Sequence, residues 1–367
     1  MAARIFLATA GNGGDDGNNG ETAGAPVETF AVALSLLSAD GTIEILDAGP
    51  HSPTEDNSHR AFVPRNANIV ASTGVTPIID GTAAQTANSG FGRPGFQWTG
   101  GSLLTFTGCV IQNFNNASNA NRIVDAQGNI TVQYTDCTFK NITGAGLFNA
   151  PDAGTSATPN LLDRCRIEKT CTHRIFANYT SAFGSTGHLL VQNSVFEYLG
   201  GDSGEVYLDA NGSNNTNAIV RNSSFLVHLN ETTGGSNGTI RAGVIENVIL
   251  KNTRTDGSES DYNALIGLKA KTSFSNNCVN GNFGTVEDTS AGGSIAVAAI
   301  TGDPLFVNVS STPADFKLQS SSPCIGTGKT IAAVTVDFDG VSRSAPYDIG
   351  AFKFVSTAAS FTDDGSE

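Results

Sequence analysis

The residues best equipped for chemistry in this 367-residue chain are a few acids and arginines set in short β-prone phrases. Glu205 and Asp209 close the two ends of Glu205-Val-Tyr-Leu-Asp209. Strand alternation places positions 205, 207 and 209 on one side, so both carboxylates would share a face. Two carboxyl groups about 5 to 10 Å apart are enough to cleave a glycosidic bond, one as acid and the other as nucleophile or base. Asp125 lies in a comparable phrase, and Arg122, Arg174 and Arg241 stand beside the same phrases. Those arginines would either meet an acidic sugar or pair with the acids. The alternative for the whole set is a strand edge that simply faces water.

Three other groups carry chemical potential. Asp47, His51, Glu55, Asp56 and His59 form the densest titratable stretch, suited either to metal or acid–base work or to a solvated loop between prolines. Asp15 and Asp16 sit in a Gly/Asn/Asp run without apolar residues. Calcium would be the ion for such hard oxygen ligands, although the spacing departs from the calcium-loop pattern and a surface turn fits as well. Phe91, Arg93, Phe96 and the sole tryptophan, Trp98, lie in or beside a Gly-rich excursion. Such aromatics can stack on sugar rings, or staple the excursion to the body of the protein.

The elements that must position these residues are set by a repeat. Leu104-Thr-Phe-Thr-Gly-Cys109-Val-Ile111 returns as Val132-Gln-Tyr-Thr-Asp-Cys137-Thr-Phe139 and as Leu162-Asp-Arg-Cys165-Arg-Ile167. Further copies centre on Ser194, Ser223, Val248 and Cys278, giving steps of 28, 28, 29, 29, 25 and 30 residues. A period this constant marks a repeat architecture. Each copy alternates apolar and polar residues, the period of a strand, and no helix of usual length fits between copies. A second, weaker strand does fit, as in Arg122-Ile-Val-Asp-Ala126 and Thr239-Ile-Arg-Ala242. Two or three short strands per coil of about 28 residues predict an all-β, right-handed parallel β-helix, whose coils bury their inner faces only by stacking. On that scaffold Asp125 and Asp209 stand three coils apart, roughly 14 Å at about 4.8 Å per coil, too far to act as a pair.

The central positions then form an interior column of Cys109, Cys137, Cys165, Ser194, Ser223, Val248 and Cys278. Beside it runs Ile111, Phe139, Ile167, Phe196, Phe225 and Leu250, broken at Asn280. Cysteines stacked this way act as small buried hydrophobes, which predicts free thiols. Cys171-Thr-His173 stands alone and has no zinc-site spacing.

The ends differ from the coils. Pro26 to Leu37 reads as an amphipathic helix with Phe30, Ala33, Leu34 and Leu37 on one face, placed to cap the open first coil. The C-terminal phrases Asp303-Pro-Leu-Phe306, Asp315-Phe-Lys-Leu318, Ser322-Pro-Cys-Ile-Gly-Thr-Gly328 and Asp348-Ile-Gly-Ala-Phe352 resemble the closing module of a pectate-lyase-like family of right-handed parallel β-helix proteins. The strand, Gly/Asn/Asp loop, helix and Gly-Thr-Ile strand at the N-terminus resemble the opening of the same family. The family occurs on bacterial surfaces, among secreted proteins and in phages. Its cleaving members imply calcium-binding acids with a basic residue as base, or paired carboxylates in glycosidases, while one fold hosts many functions. The expected organisation is 1–48 strand, loop and capping helix, 49–300 coils, 301–354 closing module, and 355–367 an acidic tail.

Composition narrows the partners. The net charge of −14 argues against nucleic acid and anionic membranes, and no apolar run is long enough to insert in a bilayer. The N-terminus shows no signal-peptide pattern. The expectation is a non-enzymatic surface or virion protein of spike, fibre or decoration type, extracellular or at a virion surface. It would present its β-helix to cell-surface glycans or polysaccharide, with no cofactor required. Alternatives are a polysaccharide lyase or glycoside hydrolase, and a self-assembling module such as a homotrimer or one joined to other virion or surface proteins.

Overall fold

A computed structural model describes residues 1–53, 60–63, 66–82, 95–98, 103–114, 121–126, 130–142, 145–147, 154–168, 171, 187–199, 207–209, 217–229, 239–254, 267–280 and 299–356. The chain is a parallel β-helix of about 29 residues per turn with very little helix. Among the described residues, a first sheet of eleven strands and a second of nine run side by side along the coils. Strands Leu103–Thr107, Thr131–Thr135, Asn160–Asp163, Leu189–Gln192 and Ala218–Arg221 are successive parallel neighbours in the first. Val110–Gln112, Thr138–Lys140, Arg166–Ile167, Val195–Leu199, Ser224–Leu229 and Ile249–Arg254 follow one another in the second. Shorter strands such as Gly95–Trp98 and Val124–Ala126 form a third side.

A sharp bend joins the first sheet to the second in each of these coils. Gly108, Asp136, Arg164, Asn193, Asn222 and Asn247 take left-handed backbone there, with φ from 45° to 75°. Glycine, Asn and Asp tolerate that conformation best. At five of the six, the next residue is a Cys or Ser that turns its small side chain inward and donates back to the carbonyl two positions earlier, at 3.3 Å for Cys137 to Thr135 O and 2.8 Å for Ser194 to Gln192 O; Val248 takes the sixth place. Cys and Ser therefore suit the column because each is small and carries a donor. Burial pushes the Cys109 and Cys165 thiols well above their ordinary range, which keeps them protonated and inert.

Register moves one predicted position. Cys278 lies opposite Ile249, and Val279 opposite Leu250, so Asn277 rather than Cys278 follows Val248 in the central column. The left-handed bend falls at Asn276, and the residue after the bend is the one that enters. Asn277 is fully buried, accepting from Val248 N at 2.8 Å and donating to Ile245 O at 3.0 Å. The apolar column beside it accordingly continues to Val279 instead of breaking at Asn280.

Aromatic rings line the core. Phe196 and Phe225 stack at 4.4 Å, and Phe30, Phe96, Phe106, Tyr134 and Phe139 make a continuous chain of ring contacts. Phe30 begins it from the N-terminal helix. That helix is shorter than the sequence suggests, Phe30–Leu36, because Thr29 caps it through Val32 N and the preceding Val27 bridges to Leu7. Phe30, Ala33 and Leu34 are buried on its inner face. Strand Ala2–Leu7 pairs with Leu37–Ile45 as the first rung of the main sheet.

Residues 301–354 lie along the flank of the rod. Phe306, Ala314, Phe316, Leu318, Cys324, Ile349, Ala351 and Phe352 form a second core with Val195, Leu226, Ile249 and Cys278. Those four occupy second-sheet strands at the parity opposite to the inward Phe196, Phe225 and Leu250, so the module covers the outer face of that sheet.

Candidate functional site

Among the described residues, buried polar side chains gather in the seam beneath this module. Alternation along Val195–Leu199 sends Phe196 and Tyr198 inward and leaves Glu197 on the outer face, where the module buries it to 1 % exposure. Glu197 Oε1 lies 3.1 Å from His228 Nε2, and Oε2 accepts the Ala314 amide at 3.2 Å. A buried carboxylate must be paired in this way to offset its lost hydration. Lys251, on the next rung, contacts Asp303 at 2.6 Å. Arg166 donates to Ala314 O at 3.3 Å and lies between the Phe316 and Phe338 rings, 5.9 and 5.6 Å from their centroids. Burial lowers the Arg166 pKa, opposed by nearby acids including Glu168 and Glu197.

The bend residues extend the seam. Asn247 accepts the Lys329 amide and donates to the Lys329 carbonyl, both at 2.7 Å, and Lys329 Nζ reaches Glu246 at 2.7 Å. A cavity of about 270 Å³ opens within the module beside Arg343, Tyr347, Asp348 and Lys353. Its charges are engaged by the backbone. Asp348 accepts Gly326 N and Phe354 N at 2.7 and 2.6 Å, and Arg343 donates to Gly350 O and Ala351 O at 2.9 and 2.8 Å. Burial lowers the Arg343 pKa to about 10. The seam can therefore hold the module in place, and its groups are committed to that task.

A second polar knot lies at the N-terminus. Asp47 accepts Thr9 N, Thr9 Oγ1 and Asn12 Nδ2 at 2.9, 2.5 and 2.7 Å, and His51 Nε2 approaches its other oxygen at 2.6 Å. Burial acts to raise the Asp47 pKa, but the Thr9 and Asn12 hydrogen bonds and the His51 charge outweigh it and hold the carboxyl below its ordinary value. Glu55, Asp56 and His59, read with this pair in the sequence, lie outside the described residues. Asp16 accepts the Glu28 and Thr29 amides at 2.9 Å each, and Asp15 accepts Gly17 N at 2.8 Å, so the proposed calcium acids are bound to backbone. No group of three or more His, Cys, Asp or Glu side chains converges among the described residues.

Of the remaining predicted residues, Trp98 and Asp125 fall on the third side, Arg122 on a short two-stranded pair, and Asp209 and Arg241 on strands of the first sheet. Gln97 is in register with Asp125, and Trp98 with Ala126. Phe96 is fully buried between Phe30 and Phe106, so it belongs to the core and not to a sugar platform. Arg122 is in register with Gly146. In backbone register, Asp209 lies opposite Arg241, and Arg241 opposite Lys269. Phe91, Arg93, Arg174 and Glu205 lie outside the described residues.

Sequence reasoning passed over Glu197, His228 and Lys251. Their signal was present: Val195, Leu226 and Ile249 are apolar at outward parity, and an apolar outer face needs a cover. The fold and seam together define a parallel β-helix protein with a laterally docked C-terminal module. No protein-family model matches the chain, and no curated protein matches it.

Proposed function

We propose that this chain is a non-enzymatic structural protein of a cell or virion surface, of spike, fibre or decoration type, which presents its β-helix to glycans or a host surface. One observation carries the reading. In six successive coils the link from first-sheet to second-sheet strand is two residues, at 108–109, 136–137, 164–165, 193–194, 222–223 and 247–248. The connections back to the first sheet, between Gln112 and Thr131, Lys140 and Asn160, Ile167 and Leu189, Leu199 and Ala218, and Leu229 and Thr239, are much longer, at 9 to 21 residues. A regular frame with its longer connections on one side suits binding, and the resemblance to pectate-lyase-like surface and phage proteins supports the same reading. The test is incubation of the pure protein with bacterial and plant polysaccharides, read for retention and for release of new chain ends. Retention without release is the expected result, and failure to retain any polysaccharide overturns it.

A polysaccharide-cleaving enzyme is the second reading, favoured by the register of Asp209 with Arg241 and Lys269. It predicts release of chain ends that is lost in Asp209→Asn or Glu205→Gln.

A further inference from the structure

We infer that the outer face of the first sheet is an interface for a second copy of this chain, centred on Leu161, Leu190, Ile219 and Val244. The contact is separate from glycan binding and does not depend on it. The four residues stand opposite one another on successive parallel rungs. Leu161, Leu190 and Ile219 each alternate with buried neighbours along their strands, and Val244 precedes the buried Ile245, so all four point outward. Each is partly exposed. None of the four belongs to the interior core or to the core beneath the module.

Register shows how abruptly this face changes. On the rungs before Leu161 the same row holds Thr42, Asn68, Thr105 and Gln133, and on the rung after Val244 it holds Ser273. Thr105 and Asn68 hydrogen-bond to each other at 2.9 Å. Four aliphatic side chains in line, bounded at both ends by polar ones, make a contiguous patch, unlike the single exposed apolar residues common on any surface. The C-terminal module buries the outer face of the second sheet and meets the first at its margin, where Lys329 reaches Glu246.

Charge and periodicity identify the occupant. The next outward row is Asp163, Gln192, Arg221 and Glu246. Its charges are matched within the chain. Arg164 bonds Asp163 and Asp136 at 3.1 and 2.7 Å, Arg221 bonds Gln192 at 2.8 Å, and Lys329 bonds Glu246 at 2.7 Å. Three acids and three bases thus leave this margin without net charge, on a chain that carries −14. Two such acidic chains repel over most of their surface, and a neutral apolar strip is where they can approach. The strip offers its side chains at steps of about 4.8 Å, and the same ladder on a second copy repeats that step. An isologous contact requires a patch of this self-complementary kind. With the two-fold axis along the β-helix, each rung meets its own equivalent. The charged row then faces Pro159, His188 and Asn217 on the other side of the strip. Running the two β-helices in opposite directions would instead set Asp163 opposite Glu246, a like-charge pairing. The strip with its two margins covers about 14 by 13 Å, well below the roughly 800 Å² per partner of a standard interface. The dimer is therefore weak and concentration-dependent.

The test is sedimentation velocity on the full chain from roughly 1 μM to roughly 200 μM, in the range where small interfaces associate. The expected mass rises from monomer toward dimer. Association should tighten several-fold between about 0.05 and about 0.5 M salt, as repulsion between the acidic copies is screened. Leu190→Lys should weaken it at least tenfold while leaving the circular dichroism unchanged. Leu190→Cys should form a covalent dimer under mild oxidation, since the six native thiols are buried, whereas Val307→Cys on the exposed module surface should not. A monomer at every concentration overturns the inference, as does a dimer that Leu190→Lys leaves intact or a mass that exceeds the dimer. Equal cross-linking of Leu190→Cys and Val307→Cys also overturns it. Sedimentation of the unmodified chain and the Leu190→Cys cross-link decide the matter even if Leu190→Lys folds poorly.

Discussion

Glu197 Oε1 lies 3.1 Å from His228 Nε2, although the two residues are on neighbouring rungs and diagonal to each other in the sheet. The other Glu197 oxygen accepts the amide of Ala314, 117 residues further along the chain. One carboxylate thus joins two coils to the module that covers them. Glu197→Ala is expected to cost about 3 kcal/mol, because it leaves a buried amide and imidazole without their acceptor. Chemical denaturation followed by far-UV circular dichroism measures this. A loss below about 0.5 kcal/mol would mean that the seam contributes little to stability.

Removing the module should uncover Val195, Leu226 and Ile249 together. A chain ending at residue 300 is therefore expected to bind a hydrophobic dye and to self-associate, since a contiguous apolar stripe seeks a new cover. Light scattering and dye fluorescence against the full chain test it. A monomeric, dye-silent truncation would show that the outer face tolerates water.

The Phe196–Phe225 stack at 4.4 Å is a close ring contact of the coil interior. Phe225→Ala should lower stability by about 3 to 4 kcal/mol, from lost transfer energy and the cavity left between rungs. Phe225→Leu, which keeps much of the volume, should cost about 1.5 kcal/mol or less. Equal losses for both would argue that the cavity term is absent at this site.

Asn277 supplies two hydrogen bonds to backbone inside the column. Asn277→Leu is expected to destabilise by about 2 kcal/mol despite being more apolar, because Val248 N and Ile245 O lose their partner in a dry interior. The sign is the test: a more stable leucine variant would show that these backbone groups find other partners.

Asp47 makes the N-terminal knot sensitive to acid. Its folded pKa is lowered, so its stabilisation is complete above the unfolded value of about 3.9. That stabilisation is lost as pH falls through the lower folded value. Asp47→Asn should cost about 1 kcal/mol at neutral pH, and the gap from wild type should shrink as the buffer is acidified. A gap independent of pH would assign the loss to packing.

Much of the fold is legible in residue order because a solenoid is built from local rules. Alternation places Phe139, Phe196 and Phe225 inward, the Asn, Asp and Gly residues mark the left-handed bends, and the constant spacing stacks the coils. These depend on contacts between adjacent rungs, and those contacts recur in the sequence at one period. Tertiary structure alone decided the rest. Cys278 and Asn277 exchange places because the bend at Asn276 sets the register, and residue type does not. Phe96 is core because a helix from the far N-terminus brings Phe30 against it. Glu197, His228 and Ala314 meet because the module folds back along the flank, and no periodic pattern encodes which face a returning segment will cover.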